Sequence, residues 1–174
     1  MKNLKTLNQY EQALQLVEMM GPWRYFVTIT FQHRTSDEEG KRHTSTVVKR
    51  LNRTLLGNKW KDKSKLEGVA TLEHASIQRG GKGHIESCHF HCLIKDHPRL
   101  NASADLGLRQ MQKAVRRVTK GLKHSNGKVL VSKNGTDIQL VRDDGVMKYI
   151  LKEANRGDWA SSDRLFYFGT DGLV

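Results

Sequence analysis

Cys88-His89-Phe90-His91-Cys92-Leu93-Ile94 has the alternation of an extended strand. Successive strand residues point to opposite sides of a sheet. His89 and His91 therefore share one side. Cys88, Phe90, Cys92 and Ile94 share the other, and all four are apolar in character. The apolar set should face a core, and the two imidazoles should project side by side from the opposite face, where one cation could take a nitrogen from each. A mixed Cys/His zinc site is disfavoured, because the thiols lie across the backbone from the imidazoles and no second cysteine pair exists. The plain alternative is a pair of exposed strand histidines.

Working outward, Val69 to Ile77 reads as the partner strand and Gln78 to Glu86 as a glycine-rich hairpin connection. A turn centred near 81–82 puts Glu73 opposite His89 or His91. That makes Glu73 the candidate third ligand of a two-His, one-carboxylate site, with Glu86 as its substitute and His74 weaker. Such a nitrogen and oxygen donor set suits Mg²⁺ or Mn²⁺.

Upstream, spacing predicts a leading helix near 6–20, closed by Gly21-Pro22. Tyr25-Phe26-Val27-Thr28-Ile29-Thr30-Phe31 reads as a strand. A polar loop over 32–43 is followed by a helix near 44–57, with Val47, Leu51 and Leu55 on one stripe. Residues 58–66 read as a lysine-rich loop. Downstream, Leu108, Met111, Val115, Val118 and Leu122 mark a helix capped at Ser103 or Asp105. Its other faces carry Arg109, Lys113, Arg116, Arg117 and Lys120. Two short strands at 128–132 and 136–141, joined by an Asn134-Gly135 hairpin, come next. A helix over 144–155 follows, begun by Asp143-Asp144 and ended by Asn155-Arg156-Gly157. Leu165 to Phe168 can add a last strand.

The order predicts an α+β domain. Its central antiparallel sheet has a split βαβ, ferredoxin- or RRM-like topology, with helices mainly on one face and the other face open to a ligand. One domain should span 1–174, with a leading helix at 1–21, a core at 23–155 and a tail at 156–174.

Composition narrows the partner. The chain has 174 residues with 30 Lys+Arg against 18 Asp+Glu, a formal charge of +12. A polyanion such as nucleic acid is the natural partner for that excess. No apolar run reaches the ~20 residues of a membrane span, so no membrane partner is expected. No secretory leader is read at Met1-Lys2-Asn3-Leu4-Lys5.

Tyr149 and Lys152 stand three apart in Gly145-Val146-Met147-Lys148-Tyr149-Ile150-Leu151-Lys152, on one helix face. A phenol is a poor nucleophile at neutral pH unless a neighbouring ammonium stabilises the phenolate. A packing tyrosine beside a solvated lysine is the plainer reading of this pair alone. Tyr10, Tyr25 and Tyr167 read as structural.

Taken together, Phe26–Phe31, His89-Phe90-His91 and Tyr149-Ile150-Leu151-Lys152 resemble the three ordered motifs of rolling-circle replication initiator (Rep) proteins, within the HUH endonuclease superfamily. The resemblance spans about residues 23–155. A single tyrosine in the third motif is similar to the one-tyrosine type. The resemblance implies sequence-specific nicking and joining of single-stranded DNA through a 5′-phosphotyrosine. His89 and His91 would bind the metal, Tyr149 would be the nucleophile and Lys152 its stabiliser. The substrate would be a replication origin, which can include a hairpin, on a phage, plasmid or related mobile element in a bacterial cytoplasm. The chain carries no phosphate loop, so a separate helicase would unwind. Arg109, Lys113, Arg116, Arg117 and Lys120, with the 58–66 loop, would track the DNA backbone; Arg24, Arg34 and Arg79 could reach bases or phosphates. The sequence leaves two alternatives. One is a single-strand transposase of the same chemistry. The other is a non-catalytic nucleic-acid-binding module on the open sheet face, which would need exposed stacking aromatics.

Overall fold

The structure is a computed structural model that describes residues 7–32, 35–58, 60, 65–78, 84–124, 126–152 and 165–169. Among the described residues, five strands form one antiparallel sheet: β1 (Trp23–Phe31), β2 (Gly68–Gln78), β3 (His84–Lys95), β4 (Val131–Leu140) and β5 (Leu165–Phe168). Their spatial order is β4-β1-β3-β2-β5. Helix α2 (Asp37–Leu56) links β1 to β2, and β3 inserts between those two strands. Helix α3 (Ala104–Lys120) links β3 to β4. Helix α1 (Gln9–Met20) precedes the sheet, and α4 (Gly145–Ile150) follows β4. Among the described residues, no helix is long and apolar enough to cross a membrane.

The alternation along β3 sorts the two faces. Phe90, Cys92 and Ile94 join Tyr25, Val27, Ile29 and Phe31 of β1 in the main core, under Val47 and Leu51 of α2 and Met111, Val115 and Val118 of α3. Large side chains such as Phe31, Phe90 and Met111 are fully buried there, each contributing roughly 2 kcal/mol of burial. The histidine face is less open than the sequence suggested. Leu93 lies on that face and pairs with Val69, and both are completely buried. An apolar patch of this kind needs a cover. Ala13 and Val17 of α1, with Met147, Ile150 and Leu151 at α4, supply it. The two long helices therefore share one face, and the two short ones cap one end of the other.

Several boundaries differ from expectation. Helix α2 starts inside the stretch read as a polar loop. Ser36 caps it by accepting from the Glu39 N–H, and Gly40 lets it settle onto the sheet, where an added Cβ would lie 3.1 Å from Leu72 Cδ2. The Asn134-Gly135 pair makes no hairpin. It lies in one continuous β4, at a bulge where β1 advances from Ile29 to Phe31 while β4 runs from Thr136 back to Val131. The tight turn is instead at Asn126-Gly127, where Gly127 takes φ +80° and Lys123 bridges to Val129. Helix α4 is six residues long, and its expected end at 155–157 lies outside the described residues. Residues 84–86, expected in the connection over 78–86, belong to β3, while positions 79–83 and most of the tail lie outside the described residues.

His43 of α2 is buried beside Phe31 and His124, with ring centroids 5.7 and 5.9 Å away. Burial first, then the charges of Arg42 and His124, depress its pKa below the usual 6.5, against a smaller opposing pull from Glu39. The unfolded chain then binds a proton that the folded chain resists, so stability rises with pH. The contribution is intact above about 6.5 and is lost as pH falls through the lower folded value. Denaturant midpoints should therefore drop between about pH 7.5 and about pH 5.5, and His43→Phe should flatten that part of the slope.

Candidate active site

The site grows from three aligned strands. Cross-strand register sets Thr28 opposite His91, Thr30 opposite His89, and Glu73 opposite His89. Since paired residues share a face, all five side chains project together. The hairpin thus places Glu73 where the sequence put it. Each imidazole is held through Nδ1: Thr28 Oγ1 lies 2.9 Å from His91 Nδ1, and Thr30 Oγ1 lies 2.9 Å from His89 Nδ1. The rings stack 6.4 Å apart at 14°. Phe26 stacks on His91 at 5.6 Å and 17°, so the register runs Phe26, His91, His89 along the face.

Glu73 ties the strands to the tyrosine. Its Oε2 is 3.0 Å from His91 Nε2, and its Oε1 accepts from the Lys152 ammonium at 2.8 Å. Burial would raise the Glu73 carboxyl, but the hydrogen bonds from His91 and Lys152 outweigh it and hold it at about 2. Burial would likewise lower Lys152, yet the Glu73 hydrogen bond and charge raise it. Both groups are therefore ionised at neutral pH.

Tyr149 closes the cluster. Met147, Ile150 and Leu151 are buried against α1 and the sheet, which leaves Tyr149 45% exposed at the end of α4. Its ring meets His91 edge-on at 5.2 Å and Phe26 edge-on at 5.9 Å. The Lys152 ammonium stands 4.3 Å from the centre of the Tyr149 ring, a cation–π distance. By contrast, Tyr25 is fully buried, and Tyr10 and Tyr167 pack against the α1–α4 cover.

The donors suit a divalent ion by type. Two ligand atoms about 2.1 Å from one ion, in cis positions, stand about 3 Å apart. His91 Nε2 and Glu73 Oε2 stand 3.0 Å apart as a hydrogen-bonded pair, a separation equal to that edge, and an ion bound between them would replace the shared proton. Hydroxyl groups on Nδ1 are the kind of outer contact that orients a ligating imidazole. Thr71, paired with His91 on this face, is 2% exposed and its hydroxyl has no partner among the described residues, as befits a place for a polar guest. No three such groups already converge on one point among the described residues. Of Glu86 only the backbone register is described, opposite Ser76.

Other expected residues lie elsewhere. Arg109, Lys113, Arg116, Arg117 and Lys120 are exposed on α3, which packs on the Phe90 side of the sheet. They are not beside the histidines. Arg24 is used structurally: it pairs with Asp96 and donates to the carbonyls of Asn101, Ala102 and Ser103. Arg34 and Arg79 lie outside the described residues, as do positions 59 and 61–64 of the lysine-rich loop. As sequence, Phe26–Phe31 reads as a core strand motif, with no site role for Phe26, Thr28 or Thr30. Asp137 of β4, which pairs with Thr28 and is exposed on the histidine face, carries no sequence signal either. The even-numbered polar alternation of 28 and 30 was a usable signal, but only the β1–β3 pairing connects it to the histidines.

No family model, curated protein or solved structure matches this chain.

The Lys152–Glu73 contact makes a direct prediction. Lys152→Met removes the ammonium, so the Glu73 carboxyl should titrate above about 2, toward its ordinary 4.5. Carboxyl-carbon NMR on the variant reads this shift, and an unmoved Glu73 would show that Lys152 does not hold it.

Proposed function

We propose that this chain cleaves and rejoins single-stranded DNA by transesterification, with Tyr149 as nucleophile. The observation that carries the reading is the convergence of Tyr149 and Lys152, at and just past α4, on Glu73 and His91 of the β2–β3 pair. A structural tyrosine needs no ionised lysine and carboxylate beside an imidazole pair.

The phenolic oxygen attacks phosphorus. A phosphorus–oxygen bond to Tyr149 forms as the bond to the 3′ oxygen breaks. The products are a 5′-phosphotyrosine and a 3′-hydroxyl, and the reverse attack rejoins a strand. One ester replaces another, so the reactivity of the phosphodiester is retained. Lys152 is an unsuitable base, because its raised pKa keeps it protonated. It acts instead as a fixed positive charge that favours the phenolate. Glu73 is equally unsuited to take the proton, since a carboxyl held at about 2 is too weak a base for a phenol. The phenolic proton leaves to solvent, to which Tyr149 is open. His89, His91 and Glu73 would hold Mg²⁺ or Mn²⁺, which when bound supplies Lewis-acid polarisation of the phosphate.

Initiation of rolling-circle replication at an origin, in a bacterial cytoplasm, is the biological setting this chemistry fits best. A single-strand transposase would use the same residues. A non-catalytic binding role is supported by one observation: the α3 cations stand across the sheet from Tyr149. Binding and cleavage are therefore separable.

The test uses a randomised, end-labelled single-stranded oligonucleotide pool with Mn²⁺ and denaturing gels. Wild type should form a covalent adduct that chelator abolishes. Tyr149→Phe keeps the ring packed against Phe26 and His91, so it should bind DNA on native gels yet give no adduct. An adduct surviving in Tyr149→Phe, or none in wild type, would overturn the reading.

A further inference from the structure

A cavity of about 530 Å³ lies between α2 and the β5 edge of the sheet. Local structure builds its walls. Helix α2 stops at Gly57, at φ +84°, and the chain turns back with the Trp60 N–H donating to the Gly57 carbonyl. This brings Trp60 to the cavity wall. On the far side β5 pairs with β2, and alternation turns Phe166 and Phe168 toward α2. Phe168 takes the space left by Gly68, where an added Cβ would lie 2.4 Å from its ring. Asn52, in the α2 wall, is already committed: it donates to the Val48 carbonyl and accepts from the Leu66 N–H.

The charged side chains described along this aromatic interior are all cationic. Lys41, Arg42, Lys49 and Lys65 line it, and none of its described lining residues is acidic. Glu39 reaches Arg42 only at 3.8 Å, and Lys49 is exposed on α2. Flat aromatic walls and several cations together call for a guest with a π face and more than one negative oxygen. A nucleobase on its phosphate has both.

We propose that this cavity is a base-binding subsite, holding a nucleobase against Trp60 and Phe166 with its phosphate toward Lys49 and Arg42. The base can belong to a DNA strand or to a free nucleotide; the chemistry is shared. The site is separate from Tyr149 and needs no cleavage.

The test is fluorescence anisotropy of fluorescein-labelled oligo-dT on the full chain, with chelator present so that strand transfer does not intervene. Trp60→Leu should weaken binding about tenfold, the effect of one lost stack. Lys49→Glu changes an exposed position, so folding is retained; it should weaken binding several-fold and lower the salt slope by about one. Unlabelled dTMP that competes with wild type but not with Trp60→Leu assigns a free nucleotide; failure of dTMP to compete, with the variants still weakened, assigns a strand. Wild-type affinity in either variant, or displacement by oleate without displacement by dTMP, overturns the proposal. Absence of a Tyr149 adduct leaves this result untouched.

Discussion

The His91 imidazole imposes the strictest condition on this fold. It is 3% exposed, and a buried polar ring is costly unless its nitrogens are satisfied. Thr28 meets one nitrogen and Glu73 the other, from strands on either side of β3. Phe26 and His89 fill the space above and below the ring. A one-residue slip in either pairing would turn the threonine or the carboxylate to the opposite face. The register of the three central strands and the polar cluster are therefore one requirement. Glu73 extends it, because an ionised, largely buried carboxylate needs a cation, and Lys152 is the one that reaches it. Through that ion pair the sheet dictates where the chain beyond α4 must lie.

The parts legible in the sequence were those governed by local periodicity. Alternation from Cys88 to Ile94 gave the two faces, and a hairpin centre gave Glu73 its partner strand. The apolar stripe of Leu108, Met111, Val115 and Val118 gave α3 its buried side. Other features depend on neighbours distant in the chain. Leu93 breaks the polar side of β3, but its meaning, a cover by α1 and α4, appears only once Val69 is beside it. Gly40 argues against a helix by propensity, and tertiary packing against Leu72 overrides it. Asn134-Gly135 carries a hairpin signal that β1 overrules by pairing on both sides of it. The roles of Thr28 and Thr30 likewise need the β1–β3 register.

Charge and chemistry are distributed over different sides of the sheet. The cations of α3, and those of α2 that line the cavity, sit on the helix-covered side, while Tyr149 sits with the histidines. A polyanion held by the first set is attracted on that side of the sheet, since exposed charges are largely screened beyond about 10 Å at 0.1 M salt. That attraction is weaker at the tyrosine than a flanking basic groove would make it. Local charge there falls to Lys152, whose ammonium is already neutralised in part by Glu73. The cluster is thus nearly balanced in itself and would respond sharply to any added cation or phosphate.

That balance depends on a helix which cannot stand alone. Six residues are far too few for α4 to persist by propensity, since isolated helices below about 12 residues are marginal in water. It has no side-chain cap at Asp144; only Asp143 accepts from the Gly145 N–H. Its persistence comes from burying Met147, Ile150 and Leu151 against Ala13 and Val17. Helix α1 is built to last by comparison: Asn8 and Glu11 cap it reciprocally, and Trp23 of β1 donates to its Val17 carbonyl. The leading helix is therefore no appendage. It fixes the short helix, the short helix presents Tyr149, and the distance between the phenol and the imidazoles is set by packing that begins at residue 8.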